Sequence, residues 1–518
     1  MKFSCGCEFD KLNFDNVNLD CAATWDLIGD GLTKGLFQIE GSLGKRYCKS
    51  IKPENIEELA AVISLIRPGC LEAEYREFEG KMLSITDTYV KTKRGEIAPE
   101  YIDPTLEPIF KSTFGVPVYQ EQIMRICTDF AGFSMQEADA TRKAVGKKLV
   151  DKMAEVEEAF IKSAIEQGHE KELAKTIFSW IDKFSGYGFN KSHAVSYALL
   201  GYWGAYAKVH FPLEFFKNKL AFSDSNPDAF DEIKQLVHEA KLFNIEVTPP
   251  SIDEMNVQFK YSGENSLMFG LAHIKGVGES ALKEVKRLGR VNTEYELFSK
   301  LFVDEIKVKK NVIEALIKSG AIPSLREDRV RVLGRYLFLQ VLTDRERKYL
   351  YDEGVMTTEP SIGFMIKELL SNEVVKLPKR IIKIEKAFED IKTSLSGNRK
   401  KMILAWEKLH LGMPLSGSEV ELYSNYKVDT TCRNFLKIRN KSEVTMGVII
   451  ESIKRIKDKK GNAMCFMSVS DATYMIDSAV VFSRAYKDCA WIIEEGKPVL
   501  ITGRKNNTSL FVNKIEHL

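Results

Sequence analysis

Phe184-Ser185-Gly186-Tyr187-Gly188-Phe189-Asn190-Lys191-Ser192-His193-Ala194 places two glycines, a tyrosine and two basic side chains at the mouth of an apolar run toward Pro212. The glycines end one helical pattern and the run beyond them opens another. Upstream, Leu173, Ile177, Trp180, Ile181 and Phe184 recur at helical spacing. Before them Met153, Val156, Phe160, Ile161, Ala164 and Ile165 form a stripe that stops at Gly168. The spacing predicts a helical domain from Gln120 to Phe211 with a glycine-bearing loop at a helix N-terminus. Such an end favours a phosphate, and Lys191 and His193 bracket it. Arg142-Lys143-Ala144-Val145-Gly146-Lys147-Lys148 adds four positive charges in seven residues, with Lys143 one turn from Lys147 on one helix face. A solvated basic face is the alternative. His193 alone also fits a capping or core histidine, and Tyr187 alone a packing residue.

Working outward, the first 115 residues read as short helices and loops, punctuated by Gly29, Gly31, Gly35, Gly41, Gly44 and the Arg67-Pro68-Gly69 break. After Pro249-Pro250 comes Ile274-Lys275-Gly276-Val277-Gly278-Glu279-Ser280-Ala281, the hairpin of a helix-hairpin-helix. Its glycines admit a close phosphate, and the next helix's first amides point at it. A second, weaker copy is read in Asn311 to Ile322. Residues 323–442 are charged and largely helical. Then the period changes: Val444, Met446, Val448 and Ile450 alternate, as do Cys465, Met467 and Val469, then Tyr474, Ile476 and Ser478. Two more short strands follow at Val499 to Gly503 and Leu510 to Val512, with a helix-like stretch, Ser483 to Glu495, before them. Five strands with a helix in that slot fit an OB-fold, a barrel used widely for single-stranded nucleic acid. Between its first two strands Lys454, Arg455, Lys457, Lys459 and Lys460 face one Asp458. Either a strand-tracking loop or a solvated hairpin tip fits this run.

A chain of 518 residues, 44% hydrophobic, can bury several cores. No apolar run is long enough for a membrane span and the start carries no secretory core, so a cytoplasmic protein is expected. The nine cysteines show no paired C-x-x-C spacing. Cys5, Cys7 and Cys21 offer a C-x-C with one distant partner, which fits terminal thiols as well as a metal, and no metal ligand is assigned. With 75 basic and 73 acidic side chains the net charge is +2, so any polyanion site is local.

Five ordered blocks carry a resemblance. They are Gly35-Leu36-Phe37-Gln38-Ile39-Glu40-Gly41-Ser42, Leu65-Ile66-Arg67-Pro68-Gly69, Val118-Tyr119-Gln120-Glu121-Gln122-Ile123-Met124, the run Ala138 to Lys148, and the Phe184 to Ala194 stretch. In order and spacing they resemble the fingers of bacterial-type DNA polymerase III alpha subunits, the C-family replicative polymerases. The likeness continues through the helix-hairpin-helix and resumes at Leu411-Gly412-Met413-Pro414-Leu415-Ser416-Gly417-Ser418. It implies a multidomain protein: 1–115 the palm-to-fingers entry and first part of the fingers, 116–258 a mainly α fingers core, 259–325 a tandem helix-hairpin-helix, 326–442 a helical connector, and 443–518 a small all-β OB-fold barrel.

The resemblance further implies that Arg142, Lys143, Tyr187, Asn190, Lys191 and His193 contact an incoming dNTP. Lys147, Lys148, Lys275, Gly276 and Gly278, with Lys454, Arg455, Lys457, Lys459 and Lys460, would hold primer-template DNA. Family polymerases align their substrates on Mg2+ held by palm aspartates, two in a D-x-D pattern, and this sequence contains no D-x-D. The third palm aspartate would fall before Met1. The amino-terminal phosphoesterase domain and the last carboxy-terminal domain also find no counterpart here. The expectation is therefore the fingers and DNA-binding half of a split polymerase, inactive alone and completed by a separately encoded palm-bearing half, for example in a bacteriophage. A palm hidden in residues 1–115, or a stand-alone DNA-binding protein for repair or regulation, are the rivals. A sliding clamp is not assigned, because Gln340-Val341-Leu342-Thr343-Asp344 lacks the large apolar ending of a clamp-binding peptide.

Overall fold

Asn190 caps the helix that organises the first half of the chain: its side chain accepts the His193 amide, and Lys191–His210 follows. The computed structural model describes residue 15 and residues 17–518, apart from 147–149, 186, 224–227, 305 and 424–425. It divides the chain at Pro212 and Leu213 into two units, a boundary inside the stretch 116–258 read as the fingers core.

In the first unit the helices include α1 (Ala22–Gly29), α2 (Ser42–Ile51), α3 (Ile56–Leu65), α4 (Pro68–Glu72), α5 (Ile85–Lys93), α6 (Gln120–Arg125), α7 (Met135–Gly146), α8 (Val150–Glu166), α9 (Lys171–Ser185) and α10 (Lys191–His210). A short antiparallel pair, β1 (Glu74–Phe78) and β2 (Lys81–Ser84), precedes α5. Ala194, Ala198, Gly201 and Ala205 lie buried on one face of α10, and α10 packs against α3. Asn55 caps α3 through the Glu58 amide, with Glu57 and Glu58 in its first turn, where the helix dipole favours acids. A second core joins Ile123, Ile126, Phe130, Phe160, Ile177, Phe178, Ile181 and Phe184. The stripe on α8 is narrower than its spacing predicts: Phe160 and Ala164 are buried, but Ile165 is exposed. It falls about 100° around the helix from Ala164, past the edge of the packed face.

The second unit carries α11 (Ala229–Leu242), a three-stranded sheet of β3 (Glu246–Thr248), β4 (Lys260–Gly263) and β5 (Ser266–Met268), and then α12 (Glu279–Leu288), α13 (Glu294–Phe302), α14 (Lys310–Ser319), α15 (Arg329–Val341), α16 (Asp344–Asp352), α17 (Ile362–Ser371), α18 (Pro378–Ser394) and α19 (Arg399–Leu411). One apolar core runs through these elements, from Phe216 to Met413. The stretch read as a connector thus contributes Leu333, Tyr336, Leu339 and Leu411 to the same interior as the helix-hairpin-helix. Leu342 is buried, and Thr343 caps α16 in a capping box with Glu346, so this peptide closes a helix junction.

The last strands are β6 (Glu443–Lys457), β7 (Ala463–Ser470), β8 (Met475–Val481), β9 (Pro498–Asn506) and β10 (Ser509–His517), with α20 (Ser483–Cys489) after β8. They close a barrel in the order β10-β8-β7-β6-β9, with β10 and β8 parallel and the other pairs antiparallel. The alternating Val444, Met446, Val448 and Ile450 all point into its core. The helix is shorter than the predicted Ser483 to Glu495, because the chain turns after Cys489 to bury Ile492 and Ile493.

Candidate nucleotide and nucleic-acid interface

The glycine loop meets two other sequence blocks directly, and a third joins through Gln120. Phe189 pairs with the 118–120 segment: its amide donates to the Val118 carbonyl at 2.9 Å, and its carbonyl accepts the Gln120 amide at 2.9 Å. The Arg67 guanidinium lies 3.6 Å from the centre of the Phe189 ring. At Gly69 a Cβ would fall 2.6 Å from Tyr187 Cδ1, so the Tyr187 ring rests directly on the turn that Pro68 and Gly69 make. Arg142 on α7 donates through Nη1 to Gln120 Oε1 at 3.0 Å. The first block joins through Phe37, whose ring meets Tyr197 of α10 edge-on at 5.0 Å. The His193 ring lies between Phe189, which it meets edge-on at 5.5 Å, and Tyr197, tilted against it at 3.9 Å.

Buried Gln122 fixes the central segment. Its Oε1 accepts the Val118 and Tyr119 amides, and its Nε2 donates to Thr113 Oγ1 at 2.8 Å. Burial, followed by the Glu57 and Glu121 carboxylates, pushes the Tyr119 phenol well up, so it stays protonated.

Lys191, Arg142 and Lys143 each already face a carboxylate. Lys191 Nζ lies 3.1 Å from Glu57 Oε1, and the Lys191 amide donates to both oxygens of Glu121, at 3.0 and 2.9 Å. Arg142 Nη2 and Lys143 Nζ grip Asp139 at 2.7 and 2.6 Å. Lys143 and then Arg142 hold the Asp139 carboxyl below its usual range. The Lys191 and His193 amides at the start of α10 are therefore taken up by Glu121 and Asn190, where an open phosphate seat was expected from sequence. Lys147 and Lys148, and Gly186 of the loop, lie outside the described residues. Arg67, Gln120, Glu57, Glu121 and Asp139 were not singled out from sequence, although all but Glu57 stand inside the quoted blocks, Asp139 in the one that also carries Arg142 and Lys143.

In the second unit, Gly276 has φ of +97°, which only glycine adopts without strain, and Gly278 caps α12. A Cβ on Gly278 would meet nothing within 4 Å. Ile274 and Val277 anchor the hairpin in the core, while Lys275, Gly276 and Gly278 face outward. The Lys275 backbone is pinned by His410, whose carbonyl accepts its amide at 2.9 Å.

On the barrel the basic run is not a loop, as sequence suggested. Lys454, Arg455 and Lys457 lie on β6 opposite Phe466, Cys465 and Ala463. Ile453 and Ile456 keep the ladder going, so only 458–462 turns. There Asp458 accepts the Lys460 and Asn462 amides at 2.8 and 2.9 Å. All five cations are exposed, although Arg455 also donates to the Ile493 carbonyl. Register places Lys454, Phe466, Val480, Phe511 and Arg504 in one row across five strands, and Phe482 packs edge-on against Phe511 at 5.0 Å. Phe466 and Phe482 are exposed. Stacking faces flanked by cations suit a single strand of nucleic acid.

No group of three or more His, Cys, Asp and Glu side chains among the described residues is placed to hold one metal ion. Among the described residues no helix is long and apolar enough to cross a membrane.

Residues 7–168 match the bacterial DNA polymerase III alpha subunit finger domain, and residues 244–332 match a helix-hairpin-helix motif. The chain is similar to the DNA polymerase III subunit alpha of Aquifex aeolicus, 34% identical over 95% of this chain and 38% of the relative. It is similar to that of Halalkalibacterium halodurans at 32% over 98% and 42%, and to that of Thermus aquaticus at 31% over 95% and 38%. It spans about two fifths of the length of these curated relatives. The chain is thus a homologue of the bacterial DNA polymerase III alpha subunits and carries their finger domain together with a helix-hairpin-helix.

Proposed function

We propose that this chain grips the incoming dNTP and the primer-template during template-directed DNA synthesis, as the fingers and DNA-binding part of a DNA-directed DNA polymerase. The observation that carries the reading is the meeting of Arg67, Gln120, Arg142, Tyr187 and Phe189, drawn from four separate sequence blocks, on one surface. A triphosphate entering there exchanges the Glu57 and Asp139 carboxylates for phosphate oxygens on Lys191, Lys143 and Arg142, so the cations remain paired throughout. Arginine supplies a forked contact and lysine a point charge. Lys275, Gly276 and Gly278 hold duplex backbone, and the barrel row holds the single-stranded template. Mg2+ belongs to the palm, which in this reading is a separately encoded half acting in the cytoplasm of a bacterial or phage-infected cell.

The test is dNTP binding by the purified chain on primed DNA, by fluorescence titration. Arg142→Ala or Lys191→Ala removes a charge-assisted contact worth ~1.5–3 kcal/mol and weakens nucleotide binding by about one to two decades, with DNA affinity nearly unchanged. Equal loss of DNA and nucleotide binding places these residues on the duplex instead. DNA binding with no nucleotide binding at all favours a stand-alone DNA-binding protein.

A further inference from the structure

The segment 32–38 lies along α10 through contacts that follow the helix in order. In the last turn of the helix, the buried Lys208 Nζ donates to the Leu32 and Lys34 carbonyls at 2.9 and 2.7 Å. Nearer the glycine loop, a Cβ on Gly204 would fall 3.3 Å from Leu36 Cδ2, and one on Gly201 would fall 3.1 Å from the Phe37 carbonyl oxygen. Beyond the glycines, the Phe37 ring meets Tyr197 edge-on at 5.0 Å. The His193 ring comes next, between Tyr197 and Phe189.

These contacts share one helix face. Residues 193, 197, 201, 204 and 208 recur at spacings of four and three, which at ~100° per residue keeps them within about 80° of one another. The face runs from Lys208, past two glycines that let the segment come close, to His193 at the nucleotide surface. Its ends are about 22 Å apart at ~1.5 Å per residue. The segment depends on this support for its shape. The Leu36 and Ile39 amides close successive turns on the Thr33 and Leu36 carbonyls, and Gln38 takes a φ of +65°, a left-handed backbone that persists in a residue with a Cβ only where the surroundings impose it. Leu36 and Ile39 are fully buried, whereas Phe37 between them is 45% exposed. A buried ammonium is costly unless it is hydrogen-bonded, so the two carbonyl bonds of Lys208 fix the base of the segment firmly.

We propose that Lys208 and Gly201 are positioning residues for the nucleotide surface and act on it through Phe37. They seat the segment on α10, Phe37 then braces Tyr197, and Tyr197 holds His193 against Phe189. The inference rests on the reading of that surface as the dNTP site, and neither Lys208 nor Gly201 touches the nucleotide in it.

The test is a double-mutant cycle on dNTP affinity, measured with the purified chain on primed DNA and with folding checked by circular dichroism. Gly201→Ala moves the Phe37 carbonyl by a few tenths of an ångström and should weaken dNTP binding about three- to tenfold, with affinity for primed DNA within about twofold of wild type. Phe37→Ala should weaken it to a similar degree. Gly201→Ala should then add nothing in the Phe37→Ala background, because the same brace is already gone. Lys208→Met, which keeps the bulk and removes the ammonium, should match Gly201→Ala; if it misfolds, the cycle between Gly201 and Phe37 still decides. Wild-type dNTP affinity in folded Gly201→Ala or Phe37→Ala, or additive losses in the double variant, overturn this inference alone. A wild-type chain that binds primed DNA and no dNTP overturns the nucleotide reading, and this inference with it.

Discussion

Lys191 contributes to the grip through two different groups, its ammonium facing Glu57 and its amide held by Glu121. The ammonium pair with Glu57 is solvent-accessible, and such ion pairs are worth ~0–1 kcal/mol, little enough for a triphosphate to displace. Glu57→Gln should therefore tighten dNTP binding, by up to about fivefold, because the phosphate no longer competes with a carboxylate for the ammonium. Titration with dNTP on primed DNA checks this, and weaker binding contradicts the exchange. Gly69→Ala tests the Tyr187 contact. The added methyl meets Cδ1 at 2.6 Å, and Tyr187, 40% exposed, has room to swing outward. Thermal stability should fall by no more than about 1 kcal/mol while nucleotide affinity drops clearly. Equal wild-type affinity would mean that the ring position does not matter to the site. None of these carboxylates was legible in sequence, since Glu57 is 134 residues from Lys191 and Glu121 is 70, and such pairing belongs to tertiary structure.

At the scale of elements, the hairpin before α12 separates fold from function. Gly276→Ala forces a Cβ into left-handed backbone and should destabilise by ~1–2 kcal/mol. Gly278→Ala meets open space at φ of −84° and should leave stability nearly unchanged, yet weaken duplex binding by blocking a close phosphate. Unchanged duplex affinity in a folded Gly278→Ala chain removes the hairpin from the DNA surface. On the barrel, neutralising Lys457, Lys459 and Lys460 deletes up to three phosphate contacts, each worth ~0.7 in the slope of log affinity against log salt, so the slope for single-stranded DNA becomes shallower by about 2. Filter binding across a salt series measures it, and an unaltered slope leaves these lysines solvated. The barrel strands were readable because Val444, Met446, Val448 and Ile450 alternate cleanly. The continuation of β6 through Lys454 and Lys457 was not, because cations on the outer face of a long strand have the composition of a loop.

Across the whole molecule, the region after the helix-hairpin-helix shares its core, so it should unfold with that motif. Ahead of that motif, on α11, His238 is buried, with Nδ1 lacking a partner, and burial followed by Lys241 and Lys234 lowers its pKa to about 3. In the unfolded chain it titrates near 6.5. Between those values the unfolded state binds the extra proton, so this contribution is full above about pH 6.5 and is lost as pH falls toward 3, by ~1.4 kcal/mol per unit. Urea unfolding of the chain from pH 7 to 4 should show the decline, and His238→Gln should flatten it; an equal slope in the variant assigns the decline to other groups. The central claim concerns the surface where Arg67, Arg142, Tyr187 and Phe189 meet, and photocrosslinking tests it most directly. An azido-dNTP is bound to the chain on primed DNA, irradiated, and its attachment mapped by mass spectrometry. Adducts confined to residues 65–69, 119–143 and 187–193 and abolished by excess unmodified dNTP are the expected result. Adducts elsewhere, or adducts that unmodified dNTP does not compete, contradict it.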